Sequence, residues 1–497
     1  MEQAIPASIN YQDVLPVAVP AIARRRRFYP ANGTTFNHAG TSEIRIQLMS
    51  SNSLLDPLHS YLEMFVNNAD TAAAVFGFDI GGAHTLFEEI SVEQGGRVLA
   101  RQQAHNRLHA GILSITQTNV DGVFTDSITE GQRAANNPGG GQANQMLPIG
   151  GGGVGDEYST NAHNNSAQLP NGAGIRLTMK MPTGLFTQDK MLPLPMIDNS
   201  SPLTLVLRMA EPAACGVWSA DPTPGALNIT RINYTAQLVE VGGDVLNQFR
   251  MMQQMGGGQL TISGTDIEHS QDLIPNNSQG EQIIRVPLRK RSVKSLLFQM
   301  NSETFGAAAS RSNTFNLSFG GNASMSGYQL KVGSVVYPPS AVECWGDPAA
   351  APAAGASEPG LNRGECAMEL AKALGTLGFT NPTGRLASIN YGANNATAAG
   401  IAAGPLADGD NEDGAGNCVA PQSSEKVTCC PFGLDLASFQ HTALESGLDS
   451  ETLALETNLI VNCAGAGSGA EDKNVHTYLM YDQHYYFNSD GSITFSN

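Results

Sequence analysis

His105 and His109 stand four residues apart, the spacing that puts two imidazoles on one face of a helix, where they could ligate a metal. Asn106 follows His105, so the Glu that an H-E-x-x-H centre uses as its general base is missing. Polarity on a helix surface is the favoured reading of the pair. Asp408-Gly409-Asp410-Asn411-Glu412-Asp413-Gly414 concentrates the oxygen ligands that calcium prefers. An EF-hand loop beginning at Asp408 would need Gly at its sixth position and Glu at its twelfth, where Asp413 and Val419 stand. A solvated acidic loop fits better. The glycine clusters at 139–141 and 150–153 are not followed by the Gly-Lys-Ser/Thr of a phosphate-binding loop, and no G-x-S-x-G nucleophile elbow occurs. The carboxylates are scattered, so a glycosidase pair, which needs spatial rather than sequence proximity, stays open. These residues lead to the expectation of a non-enzymatic protein without catalytic, cofactor-binding or metal-ligating residues.

The most concentrated charge is cationic. Arg24, Arg25, Arg26 and Arg27 follow one another in a chain with 27 basic and 45 acidic residues, a net charge of −18. That balance argues against nucleic-acid binding over the whole surface and leaves the arginine run as a local anionic contact. A solvated tail is the alternative. A second basic group, Arg285, Arg289, Lys290, Arg291 and Lys294, reads as flanking a strand and serving an inter-subunit contact or solvent. Charged residues are only 14% of the chain, against about 25% in an ordinary soluble protein, which suits a surface largely covered by neighbours. The first residues show no apolar signal segment, and no stretch reaches the ~18 continuous apolar residues of a membrane span. The seven cysteines (215, 344, 366, 418, 429, 430, 463) lack C-x₂-C pairs and read as free, mostly buried thiols of a reducing compartment.

These residues must be held by elements whose periodicity is mostly two. Residues 1–40, with Pro6, Pro16, Pro20 and Pro30, read as an extended N-terminal arm. Alternating segments follow at Ser42–Leu48, Leu62–Val66, Ile90–Glu93 and, after the Gly95-Gly96 turn, Arg97–Ala100. Ala104–Leu113 reads as a short helix, and the Gly/Asn-rich stretch 131–173 as a long surface loop. Strands resume at Ile175–Met179, Leu203–Met209 and Ile232–Val241. Val245, Leu246, Phe249, Met252 and Met255 then recur at steps of three and four, the mark of an amphipathic helix that Gly256-Gly257-Gly258 would end.

Beyond those glycines the pattern repeats. Val293–Met300 answers His59–Val66, Gln329–Val336 answers Ile90–Leu99, and the helical Glu365–Leu374 answers Ala104–Leu113, at offsets of roughly 235 to 260 residues. A second Gly/Ala/Asn-rich loop spans 391–424, with strands again at Thr452–Val461 and His476–Phe487. Two copies of strand-rich sequence with few helices predict an all-β protein of two tandem jelly-roll β-sandwiches, with short helices and long loops. The expected domains are the arm at 1–40, a first jelly roll at 41–256 and a second at 257–497.

Several segments, in their order along the chain, resemble the double jelly-roll major capsid proteins of polinton-like viruses, virophages and large DNA viruses, relatives of the adenovirus hexon. They are Phe87-Glu88-Glu89-Ile90 through Gly95-Gly96-Arg97-Val98-Leu99 with Asn106-Arg107-Leu108; Met181-Pro182-Thr183-Gly184-Leu185-Phe186 leading into Leu192-Pro193-Leu194-Pro195-Met196 and the strand from Leu203; and Lys331-Val332-Gly333 with Tyr337-Pro338-Pro339. Cys430-Pro431-Phe432-Gly433-Leu434-Asp435-Leu436 with Ser446-Gly447-Leu448-Asp449-Ser450 comes next, and His476-Thr477-Tyr478-Leu479-Met480-Tyr481-Asp482 before Asp490-Gly491 closes the series. The resemblance implies a homotrimer forming a pseudo-hexameric capsomer that tiles an icosahedral virion shell. It further implies contacts with neighbouring capsomers and with penton and minor capsid proteins, and assembly in the host-cell cytoplasm or nucleus. The arm carrying Arg24, Arg25, Arg26 and Arg27 would then lie on the inner face, towards minor capsid proteins, an inner membrane or the genome. The alternative is a carbohydrate-binding or glycan-cleaving β-sandwich protein. Only 6% aromatic residues, with Trp218 and Trp345 the two tryptophans, speak against a sugar platform.

Overall fold

The computed structural model describes residues 20–71, 76–78, 82–113, 168–169, 171–218, 222–255, 259–275, 278, 280–287, 289–302, 325–343, 363–375, 431–438, 446–451, 456–463 and 472–496. In the first half these form β1 (Ala21–Phe28), β2 (Thr35–Phe36), β3 (Glu43–Leu48), β4 (Ser53–Asn68), β5 (Phe76–Phe78), β6 (Phe87–Gln94) and β7 (Arg97–Gln103). Helix α1 (His105–Gly111) follows, then β8 (Gln168–Leu169), β9 (Gly174–Met179), the helical turn α2 (Gly184–Thr187), β10 (Leu203–Met209), β11 (Gly216–Trp218) and β12 (Leu227–Val241). Helix α3 (Gly243–Met255) connects to the second half. There β13 (Gln259–Ile274), β14 (Gly280–Val286), β15 (Val293–Ser302), β16 (Met325–Val332) and β17 (Val335–Glu343) precede helix α4 (Arg363–Ala373). The series ends with β18 (Phe432–Asp435), β19 (Thr457–Cys463), β20 (Lys473–Asn488) and β21 (Ile493–Ser496).

Each half is a pair of antiparallel sheets, with strand orders β1-β12-β4-β9 and β3-β10-β6-β7 in the first, β13-β20-β15-β18 and β14-β19-β16-β17 in the second. Setting aside the short β2, β5, β8, β11 and β21, both halves join their first, eighth, third and sixth strands in one sheet. The second, seventh, fourth and fifth make the other. That order is the jelly roll, and the chain has the double jelly-roll fold. A helix follows the fifth strand in both copies. The three sequence correspondences fall on equivalent elements: β4 with β15, the β6–β7 hairpin with β16–β17, and α1 with α4. Gly95 and Gly96 at the first hairpin both have positive φ, +57° and +82°, which only glycine adopts without strain.

Alternation builds the cores. Ile44, Ile46 and Leu48 of β3, and Leu203, Leu205 and Leu207 of β10, are fully or almost fully buried between the first two sheets, while Glu43, Arg45 and Gln47 face outward. The second core centres on Phe298, whose ring lies 5.1 Å from those of both Tyr328 and Phe432. Each core also contains residues from the other half. Leu108 and Ile112 of α1 belong to the second core, and Tyr485, Phe487 and Ile493 of β20 and β21 to the first.

Three expectations need correction. Residues 21–28 are not part of an extended arm: they form β1, paired along its full length with β12 from Ala21 opposite Val241 to Phe28 opposite Tyr234. Thr35–Phe36 likewise pairs with β12, so the first sheet begins before residue 41. An edge strand needs only one backbone partner, which lets a run of arginines occupy it. Leu169, inside the stretch expected to be surface loop, is fully buried in the first core. Gly256–Gly258, the rest of the loop at 131–173 up to residue 167, and the loop at 391–424 lie outside the described residues.

Candidate assembly surface and the junction between the sandwiches

On β1 side chains alternate between faces, so Arg25 and Arg27 share one side with Tyr61 and Glu63 of β4, and Arg24 and Arg26 the other. Arg27 lies 3.3 Å from Glu63, which also pairs with Arg176 at 3.4 Å. Arg24 lies 3.4 Å from Glu240. Arg25 donates to the Tyr61 hydroxyl at 2.6 Å, and the Arg26 guanidinium sits 4.8 Å from the Phe28 ring centre. Two of the four charges are therefore balanced within the fold, while Arg25 and Arg26 have no carboxylate partner among the described residues. Ile22, 58% exposed, extends the same edge. The strand is thus a free sheet edge among the described residues, with two uncompensated cations beside an apolar residue.

Two of the five side chains of the second basic group are engaged inside the molecule. Lys290 pairs with Glu268 at 2.6 Å and lies 4.2 Å from the Tyr481 ring centre, and Lys294 pairs with Asp482 at 2.6 Å. Arg289 and Arg291 are exposed.

The two sandwiches meet across a polar seam. The Gly184 N–H of α2 donates to Asp266 Oδ1 of β13 at 2.7 Å, and the Tyr485 hydroxyl donates to Oδ2. Asp266 is buried, which pushes its carboxyl up from the usual range against these hydrogen bonds and the charge of Lys290. Gln483 donates to the Leu99 carbonyl at 2.9 Å, Gln94 to the Gly491 carbonyl at 2.7 Å, and the Ile493 N–H to Gln94 Oε1 at 2.6 Å. Gly264 and Gly184 touch backbone to backbone: a Cβ on Gly264 would stand 2.4 Å from the Gly184 carbonyl oxygen.

His105 and His109 are on α1 as expected, but they point inward. His84, in the turn Gly82–Leu86, puts its Nδ1 3.0 Å from His105 Nε2 and stacks on His109 with ring centres 3.7 Å apart. Sequence reasoning missed His84, because its proximity depends on the β6–β7 hairpin folding α1 back onto that turn. Face-to-face stacking does not converge ring nitrogens on a point, and among the described residues no three His, Cys, Asp or Glu side chains are placed to hold a metal ion. Cys215 and Cys366 are buried and form no disulfide among the described residues, and burial pushes the Cys215 thiol up. The acidic loop at 408–414, Trp345 and the adjacent Cys429 and Cys430 lie outside the described residues.

No family model matches the sequence, and no curated protein matches it. Solved structures do match. The PBCV-1 VP54 structure fitted into a reconstruction of the virophage Sputnik has a TM-score of 0.53 and 9% identity, over 98% of this chain and 99% of that one. A chain of the Sputnik virophage structure has a TM-score of 0.54 and 10% identity over 100% and 92%. The Faustovirus major capsid protein has a TM-score of 0.52 and 9% identity over 96% and 92%. At such identities the likeness is one of fold, and it runs through both sandwiches.

Proposed function

We propose that this chain is a viral major capsid protein, a structural and non-catalytic subunit of a virion shell. The observation that carries the reading is two successive jelly rolls of identical strand order, similar across nearly the full length of both chains to VP54 of PBCV-1 and to the Faustovirus major capsid protein. In this reading the chain divides near 256–258, and three copies place six sandwiches around an axis as a pseudo-hexameric capsomer. Flat sheet flanks meet neighbouring capsomers, while the long inserted loops vary without disturbing the cores. Penton and minor capsid proteins would complete the shell, after assembly in the host-cell cytoplasm or nucleus. Light scattering on the size-exclusion peak is expected to give three times the 52.3 kDa chain mass, and negative-stain images to show pseudo-hexagonal particles. A monomer that binds glycans would overturn the proposal.

The arginine strand is assigned to the inner-face contact with minor capsid proteins, inner membrane or genome. Because Arg24 and Arg27 serve internal ion pairs, the discriminating variant reverses only Arg25 and Arg26 to glutamate. Capsomers should still form, while shell yield falls by at least about tenfold through like-charge repulsion. Unchanged particle yield would remove the assignment.

A further inference from the structure

β1 is the outermost strand of its sheet. Among the described residues its one strand partner is β12, and every residue from Ala21 to Arg27 is exposed. In an antiparallel pair every second residue turns its N–H and C=O away from the partner. The groups that β1 turns outward make no backbone hydrogen bond among the described residues. Half of a β-ladder, 8 residues long, therefore stands open.

The side chains along this edge suit a strand better than a flat surface. Consecutive residues of a strand point to opposite faces, so Arg25 and Arg26 flank the edge from its two sides. Each is held on its own face. Arg25 donates to the Tyr61 hydroxyl at 2.6 Å, with its guanidinium 5.6 Å from the centre of that ring. Arg26 lies over Phe28, which is buried in the first core. A membrane or a phosphate chain lying against either face would meet one of these cations and miss the other. A strand added in the plane of the sheet also sends consecutive side chains to both faces, so two adjacent carboxylates on it would stand opposite both arginines. Arg24 and Arg27 already face Glu240 and Glu63, which leaves positions 25 and 26 as the open cations. Ile22, exposed on the face of Arg26, offers the same strand an apolar contact.

A second copy of β1 does not fit here. Two such strands laid side by side would bring arginines opposite arginines, and like charges directly opposite one another are destabilising. The edge thus repels its own kind and is complementary to an acidic strand.

Within the contact assigned above to the arginine strand, and resting on that assignment, we propose that β1 binds an extended acidic segment of another protein by strand addition. The segment runs antiparallel to β1, as β12, β4 and β9 run to their neighbours in this sheet. It carries two adjacent carboxylates, opposite Arg26 and Arg25, and three residues further on an apolar side chain opposite Ile22. Main-chain hydrogen bonds supply the binding, and the two charge pairs fix the register. This selects a protein partner over a membrane or a genome.

Fluorescence anisotropy of the labelled peptide Val-Thr-Glu-Glu-Thr-Thr-Val-Thr with the full chain tests this. An isomer, Val-Thr-Glu-Thr-Glu-Thr-Val-Thr, puts both carboxylates on one face and should bind at least about threefold more weakly. Two further peptides carry N-methyl groups on one or the other alternate set of amides. The set that faces β1 should lose at least about tenfold in affinity, while the set that faces away stays within about threefold. R25E/R26E should lose at least about tenfold, and a peptide with Lys-Lys in place of Glu-Glu should recover that loss. Absence of binding by the first peptide, equal binding by its isomer, or equal binding by the two methylated peptides would overturn the proposal. So would tighter, arginine-dependent binding of an oligothymidylate or of phosphatidylserine vesicles. If R25E/R26E does not fold, the methylated pair on the unmodified chain decides. Failed peptide binding by an intact trimer strikes the strand partner alone, whereas a chain that forms no trimer strikes the capsid reading.

Discussion

Replacing Gly264 by valine is expected to destabilise the protein by about 3 kcal/mol or more, by forcing the two sandwiches apart. Even a single Cβ at this position would stand 2.4 Å from the Gly184 carbonyl oxygen and 2.8 Å from its carbon. Both are backbone atoms, which cannot rotate away as a side chain could. The strand would have to lift from α2, breaking the hydrogen bond from Gly184 N–H to Asp266 and leaving that buried carboxyl with one donor fewer. G264A should show a smaller loss in the same direction. Gly242, where an added Cβ meets nothing within 4 Å, supplies the control, and G242A should stay within about 0.5 kcal/mol of the parent. The denaturant midpoint measures all three. A G264V midpoint equal to that of G242A would show that the seam is not close-packed.

F298A is expected to cost about 3–5 kcal/mol. Phe298 is fully buried on β15, stacked on Phe432 and edge-on to Tyr328, whose hydroxyl donates to the Gly433 carbonyl at 3.1 Å. Strands β16 and β18 meet this ring through Tyr328 and Phe432, and Gly433 of β18 in turn lies against Ala373 and Leu370 of α4. The void would be lined by aromatic side chains held by their own strands, so little collapse can relieve it. F298L, which keeps most of the volume, should lose roughly 1–2 kcal/mol. Equal losses in the two variants would mean that cavity formation is not what destabilises.

Much of the fold was legible because the two core-facing sheets write their period into the residues. Ile44, Ile46 and Leu48, the glycine hairpin at 95–96 and the apolar steps of α3 each announce an element locally, and the three repeated segments lie on equivalent elements. What was hidden depends on contacts distant in sequence. β1 reads as tail because the partners of Arg24, Arg27 and Arg25, namely Glu240, Glu63 and Tyr61, all stand far from it in the chain. Only the first residues of β13 stood out. Further along, Ser263, Gly264, Asp266, Glu268 and His269 interrupt any alternation, since that stretch faces the polar seam, while Ile262 and Ile274 on either side of it are buried in the first and second cores. The histidine spacing at 105 and 109 was visible, but its inward aim, and His84 beside it, required the fold.

The exchange of residues between the two cores bears on how the chain is made. Tyr485, Phe487 and Ile493 complete the first core, so a nascent chain that has already emitted β1 to β12 from the ribosome still holds an unfinished sandwich with an open apolar floor. Leu108 and Ile112 wait in the same way for a second core not yet translated. The first core therefore lacks part of its lining until residue 493 has been made, later than the last buried residue of the second core, Leu479.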